Sequence, residues 1–328
     1  MKIATLIWII VASLLVLAGL ILFVSVMISV RWNFNALSTS EYETNTYSLT
    51  EGFNSISVTS DTSDVSFLIS EDDRVTVKCH DQKNLRHTVS VKDGVLTVEV
   101  NDSRKWYERI GINFGSPRVT VYLPKGEYGD LSVKLITGDV SLSSGLVFDS
   151  VDVSTTTGDV RLLSSVAGDV KINTTTGSID VEGISAGSLR LSLSTGKVSV
   201  TSSTVAGNVG IEVTTGKARL SALSCGSLTT DGNTGDVTLS NVIATGTLSV
   251  KRTTGDVTLE ACDAAEISVR TDTGDVKGTL RTEKIFIIDT STGKRDVPKT
   301  ASGGRCEITT TTGDIIISIA EKVDGVYS

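Results

Sequence analysis

The chain has 328 residues, a formal charge of −8, 30 glycines and only 3 prolines, and it is rich in Thr, Ser and Val. Lys2 and Arg31 are the only charged side chains among the first 31 residues, so the remainder carries −10. An acidic body argues against nucleic acid or anionic lipid as its partner, and β-branched residues with abundant glycine point to many short strands joined by tight turns.

From Ile3 to Val30 no residue is charged. As a helix those 28 positions would span about 42 Å, more than the roughly 30 Å of a bilayer's hydrocarbon core. The run ends Met27-Ile28-Ser29-Val30-Arg31 with no small-residue cleavage site, and Leu20 rather than cysteine follows Leu17-Ala18-Gly19. Residues 1–31 therefore read as an uncleaved transmembrane anchor, with Trp32 and Phe34 at the interface. Lys2 lies before the span; beyond it Arg31 is followed by Glu41, Glu43 and Glu51 before the next basic residue, Arg74. This bias puts the N-terminus inside and the body outside the cytoplasm, as a single-pass protein of the cell membrane.

Residues 32–52, rich in Ser, Thr, Glu and Asn, read as a polar spacer. Residues 53–135 read as an irregular β cap and first coils. Ile56/Val58, Val65/Phe67, Val75/Val77, Val89/Val91 and Val119/Val121 alternate, and Thr62-Ser63-Asp64-Val65 looks like a degenerate first copy of the motif that follows. The densest aromatic cluster outside the anchor also lies here: Trp106 and Tyr107, with Ile110, Ile112 and Phe114. Buried core is one reading. The other is an exposed loop in which Trp106, Tyr107 and Phe114 bind a partner.

Residues 136–320 carry the strongest signal. A Thr-Gly pair recurs with glycines at 138, 158, 177, 196, 216, 235, 255, 274, 293 and 313, at intervals of 19 or 20. A weaker turn falls half-way, as in Ala167-Gly168, Ala186-Gly187, Ala206-Gly207 and Cys225-Gly226. Between turns the residues alternate, as in Asp159-Val160-Arg161-Leu162 and Asp236-Val237-Thr238-Leu239. Period two gives strands with one apolar face, and a unit this short buries that face only by stacking on its neighbours. The predicted fold is all-β: a two-sided β-solenoid of about ten 19–20-residue coils, on the order of 48 Å long at the inter-strand spacing. Glycine supplies the positive φ that each reversal needs. Residues 321–328 read as a polar tail.

Three stretches carry a family resemblance: Phe53-Asn54-Ser55-Ile56, Val121-Tyr122-Leu123-Pro124-Lys125-Gly126, and the reiterated Thr-Gly-Asp-Val. On these, residues 53–318 resemble the bacterial "putative adhesin" family with β-strand repeats, a β-solenoid family of unknown function. The resemblance implies a solenoid displayed at the cell envelope, related to the solenoid domains of envelope-stress sensors. It brings no catalytic residues with it.

The remaining candidates are weak. Gly183-Ile184-Ser185-Ala186-Gly187 matches the hydrolase elbow, but both histidines, His80 and His87, precede it and it falls on an ordinary half-coil turn. Asp139, Asp159, Asp236, Asp256, Asp275 and Asp314 each follow a turn glycine and could stack as calcium ligands. However, Lys197, Lys217 and Lys294 interrupt the file. Lys217 beside Asp236, and Lys294 between Asp275 and Asp314, read as surface pairs. Threonine runs such as Thr155-Thr156-Thr157 vary from coil to coil and read as ordinary strand-edge residues. Cys79, Cys225, Cys262 and Cys306 match no metal motif and read as buried or turn residues. Cys79-His80 with His87 is too sparse for a metal site. The reading that results is a non-enzymatic envelope protein for adhesion, scaffolding or sensing, without cofactor, metal or nucleic acid. Its partners are the membrane, envelope proteins or cell-wall polymer. The alternative is a polysaccharide-cleaving or polysaccharide-binding β-helix protein using Asp236, Asp256, Asp275 and Arg252.

Overall fold

The computed structural model describes residues 3–33, 41–102 and 115–320. Trp106, Tyr107 and Phe114, with Ile110, Ile112 and the tail 321–328, lie outside the described residues. The uncharged run forms α1 (Ile3–Ser29), of which Ile7–Ser29 is long and apolar enough to cross a membrane. The chain is a single-pass membrane protein with its solenoid outside the cytoplasm.

One coil shows how the body is built. From Gly216 the chain runs outward-inward-outward through Lys217–Ser221, bends at Ala222 (φ 51°), and continues through Leu223–Cys225 to the half-coil turn at Gly226. It returns along the strand Ser227–Thr234 to the next corner, Gly235. Ala218, Leu220, Leu223, Cys225, Leu228 and Thr230 point inward and are buried. The next coil places Val237, Leu239, Val242, Ala244, Leu248 and Val250 beside them in parallel register. Each fully buried aliphatic side chain contributes on the order of 1.5–3 kcal/mol, an upper range for area removed from water. Stacking is therefore what makes any single coil stable.

The bend at Ala222 adds a short third side that the sequence did not announce. Gly183, Ser202, Ala222, Asn241 and Ala261 occupy it in successive coils, all with φ between 50° and 67°. Only one of the five is glycine, so no motif marks the corner. The other four are small or short polar residues, which bear the left-handed conformation at a cost of about 1–2 kcal/mol each.

The Thr-Gly corner is the tightest point. Gly235 has φ 122°, and a β-carbon there would collide with the carbonyl oxygen of Gly216 in the preceding coil. Two neighbours complete the corner. At five of the ten corners a threonine three residues before the glycine turns inward and donates to the glycine carbonyl of the adjoining coil, as in Thr174 to Gly158 O (3.4 Å), Thr271 to Gly255 O (3.2 Å) and Thr310 to Gly274 O (3.0 Å). The aspartate after the glycine accepts from the next coil's amide. Asp139 Oδ1 takes Asp159 N (2.8 Å), Asp159 Oδ1 takes Ser178 N (2.7 Å), and Asp275 Oδ1 takes Asp314 N (2.8 Å). The aspartate file is thus a column of backbone caps, with one oxygen of each carboxylate already committed.

The threonine immediately before each corner glycine, together with Thr62 before Ser63, forms an unbroken exposed file. Thr62, 137, 157, 176, 195, 215, 234, 254, 273, 312 and 292 pair in that spatial order. The irregularity expected from the sequence lies in the flanking residues, whereas the register aligns the threonines themselves.

Both ends depart from simple winding. At the N-terminal end, β1 (Tyr42–Leu49), β2 (Ser55–Thr62), β3 (Asp64–Ile69), β4 (Val75–Gln82), β5 (Leu85–Lys92), β6 (Val95–Asp102), β7 (Arg118–Leu123), β8 (Glu127–Thr137) and β9 (Val140–Leu142) follow in chain order. In space, the β2–β3 coil lies between the β6–β7 coil and the β8–β9 coil. Thr62-Ser63-Asp64 is a true first rung, since a β-carbon on Gly138 would meet the carbonyl of Ser63. β4 then pairs antiparallel with β7, and β5 with β6. β1 pairs antiparallel with β4 over eight residues, so part of the segment read as a spacer is an edge strand of the cap.

The C-terminal end mirrors this exchange. Gly304–Thr312 pairs on one side with Val257–Thr273 and on the other with Lys284–Thr292. The coil of Gly313 therefore lies between those of Gly274 and Gly293: Gly274 N donates to Thr312 O (2.9 Å) and Gly313 N to Thr292 O (3.0 Å). Lys294 consequently closes the aspartate file beside Asp314, and its Nζ bonds Asp296 (2.9 Å) rather than bridging Asp275 and Asp314. The last strands of the described chain are held on both sides, where an edge would leave amides unpaired.

Gly235→Val should lower the stability of the full chain in detergent by about 3 kcal/mol or more, through backbone strain and a lost inter-coil contact. Gly210→Ala should be near-neutral, because a β-carbon at Gly210 meets nothing within 4 Å. Urea midpoints of the two variants check the contrast.

Candidate functional site

The most concentrated chemistry in the described residues lies inside the cap. β4 turns Cys79 and Asp81 inward and His80 outward, by strand alternation. β5 brings His87 beside them, and β2 supplies Ser60. His87 Nδ1 is 2.6 Å from Asp81 Oδ1, and the His87 backbone amide donates to Asp81 Oδ2 (2.9 Å). His87 Nε2 is 2.9 Å from Ser60 Oγ, which is 2.9 Å from Ser63 Oγ. His87 thus joins Asp81 through Nδ1 and Ser60 Oγ through Nε2, and Ser60 Oγ donates in turn to Ser63 Oγ. Sequence reasoning missed this group, because its members lie 27 and 6 residues apart on three strands. The outward His80 stacks on Tyr42 (5.3 Å between ring centroids).

The order Ser–His–Asp is that of an acyl-transfer triad. However, Ser60 and His87 are each 2% exposed and Asp81 is 0% exposed, so no substrate carbonyl reaches the hydroxyl. Cys79, Asp81 and His87 also offer ligand atoms within 4.8 Å of one another, a closer grouping than the Cys79-His80 pair suggested. Two atoms bound to one tetrahedral ion at about 2.0–2.1 Å would stand roughly 3.3 Å apart. The 2.6 Å between His87 and Asp81 is a hydrogen bond instead, and burial pushes the Cys79 thiol up to about 12. As arranged, the group is a closed polar relay that joins the first coil to the cap hairpin.

The surface offers shallower features. On the long outer face a groove of about 510 Å³ lies over Gly210, between Arg190, Glu212, Thr229, Asp231 and Lys251. Near the cap, a second groove of about 730 Å³ is lined by Leu68, Ile69, Glu71, Lys78, Tyr122 and Ser143.

The residues singled out in the sequence separate. Arg252 is 2% exposed and lies inside the solenoid, so it cannot share a surface groove with Asp236, Asp256 and Asp275. Those carboxylates cap amides at the Thr-Gly corner. Hydrogen bonds from Lys217 to Asp236 and from Lys277 to Asp275 hold both acids below the usual carboxylate range. Ser185 is exposed beside Thr204, and no histidine shares its coil. All four cysteines are free and buried, and desolvation also pushes Cys225 up to about 11 and Cys306 up to about 12.

Ser60→Ala should cost about 1–3 kcal/mol, because it leaves His87 Nε2 and Ser63 buried with one partner fewer. Thermal unfolding of the full chain measures it. A fall in stability that Ser60→Thr partly restores is the expected outcome.

Comparison with known proteins adds the relationship. No curated protein matches the sequence. Among solved structures, the chain is similar to a putative adhesin from Bacteroides fragilis, with 14% identity, 85% of this chain and 97% of that chain covered, and a TM-score of 0.40. It is also similar to a putative lipid binding protein from Parabacteroides distasonis (14% identity, 87% and 98% covered, TM-score 0.42). A putative adhesin from the same organism gives 16% identity, 83% and 98% covered, and a TM-score of 0.43. In sequence, residues 53–222 and 204–327 match one family description, which spans the cap and the coils. The chain belongs to the Toastrack DUF4097 family.

Proposed function

We propose that this membrane-anchored solenoid is a non-catalytic binding rod, which holds a polar wall polymer along its long outer face. The observation that carries the reading is the groove at Gly210. There the missing side chain opens about 510 Å³ among two cations, two acids and several hydroxyls. That volume is in the range of ligand sites, and alternating charge with hydroxyls suits an uncharged or zwitterionic sugar polymer more than a lipid. Parallel coils repeat the surface at the inter-strand spacing, so an extended chain would meet similar chemistry on several rungs. Scaffolding of envelope proteins would use the same rigidity, and the test below separates the two.

Full-length protein in detergent should co-sediment with purified peptidoglycan sacculi. Gly210→Leu, which fills the groove from a position with open space, should reduce the bound fraction at least about fivefold while leaving the urea midpoint unchanged. Equal sedimentation of the two proteins, or none by either, would point away from polymer binding at this face.

A further inference from the structure

Arg252 interrupts an otherwise uncharged inner file. Leu193 pairs with Val213, and Gly232 with Arg252, which pairs with Thr271. Between Asn208–Cys225 and Ser227–Thr234 the ladder skips from Glu212↔Asp231 to Thr215↔Thr234. Arg252 uses that gap: its Nη1 donates to Val213 O (2.9 Å), two coils away. A β-carbon on Gly232 would coincide with the guanidinium, so glycine at that position makes the room. Ala218, which flanks the same corner as Val213, pairs with Val198 and Val237 and is the small member of its inner file.

The arginine is 2% exposed, yet its Nε and Nη2 have no hydrogen-bond partner. Thr230 Oγ1, on the adjacent coil and two residues before Gly232, also has none. These are the three orphaned buried side-chain atoms of the described residues, and all three fall on neighbouring coils. A guanidinium stays charged in proteins. The carboxylate that acts on it electrostatically, Asp231, is exposed on the outer face. A buried ion without a counter-charge costs several kcal/mol. Water supplies no charge and accepts only two hydrogen bonds, whereas a halide accepts several N–H and O–H donors and neutralises the cation.

We propose that Arg252 and Thr230 hold a small inorganic monoanion of the chloride class inside the solenoid, beside the guanidinium that Gly232 admits. Gly232 also lines the outer groove, so the two sites adjoin, but anion binding does not rest on polymer binding: Arg252 and Thr230 themselves are buried beneath that surface.

The test uses full-length protein in detergent, with sodium chloride exchanged for sodium gluconate at constant ionic strength. The unfolding temperature should rise by about 3 °C between 10 and 100 mM chloride, as expected for a ligand bound only by the folded state. Arg252→Met should abolish the chloride dependence, and Thr230→Val should weaken the apparent affinity about five- to tenfold. Crystals grown in bromide should show an anomalous peak beside the guanidinium. A wild-type unfolding temperature indifferent to chloride, a dependence that survives Arg252→Met, or density for water alone beside Arg252 would each overturn the proposal. Should Arg252→Met fail to fold, the bromide signal and Thr230→Val decide.

Discussion

The architecture depends on how closely two coils approach at the Thr-Gly corner. The glycine backbone of one coil lies against the glycine carbonyl of the next, in a conformation with φ between 122° and 157° over the ten corners. No side chain fits that space, which fixes glycine. The carbonyl and amide near the corner gain partners where an inward threonine (five of the ten corners) or a following aspartate (six of the ten) is present. Glycine is the constant of the corner, and the aliphatic core follows once the corners are stacked in register.

Parallel stacks have a problem at their ends, where a full row of amides meets solvent. This chain answers it at the membrane-proximal end with added antiparallel strands, whereas the exchange at the other end leaves Lys284–Thr292 as the outermost strand, paired on one side. The buried relay of Ser60, His87 and Asp81 belongs to that answer, since it ties the first coil to the cap through groups that are individually costly to bury. The other costly group, Arg252, lies mid-solenoid, where no end needs closing. That contrast is why it reads as a binding feature rather than as part of the cap.

The solenoid was legible because the 19–20-residue beat and the two-residue alternation repeat over most of the chain. The exchange of the last two coils was not, because Gly274, Gly293 and Gly313 keep the same interval whichever coil lies outside. The bend at Ser202, Ala222, Asn241 and Ala261 was hidden by its lack of a common residue. The relay was hidden by the distance in sequence between β2 and β5. Arg252 was readable in principle: it continues the alternation of Leu248 and Val250, and that parity already places it inside. Setting it among surface acids gave its charge more weight than its position. Trp106, Tyr107 and Phe114 remain a proposal for partner binding and lie outside the described residues.

The order of the corners can be tested with paired cysteines in the exposed threonine file. Thr273 pairs with Thr312 on the adjoining coil, while Thr292 lies one coil further out. Adjacent parallel strands stand about 4.8 Å apart, within disulfide reach, and strands two apart do not. Mild oxidation of Thr273→Cys with Thr312→Cys should give an intramolecular disulfide, and Thr273→Cys with Thr292→Cys should give none. Efficient closure of the 273–292 pair, with the 273–312 pair left reduced, would mean that the coils stack in chain order and that the corner ladder described here is wrong.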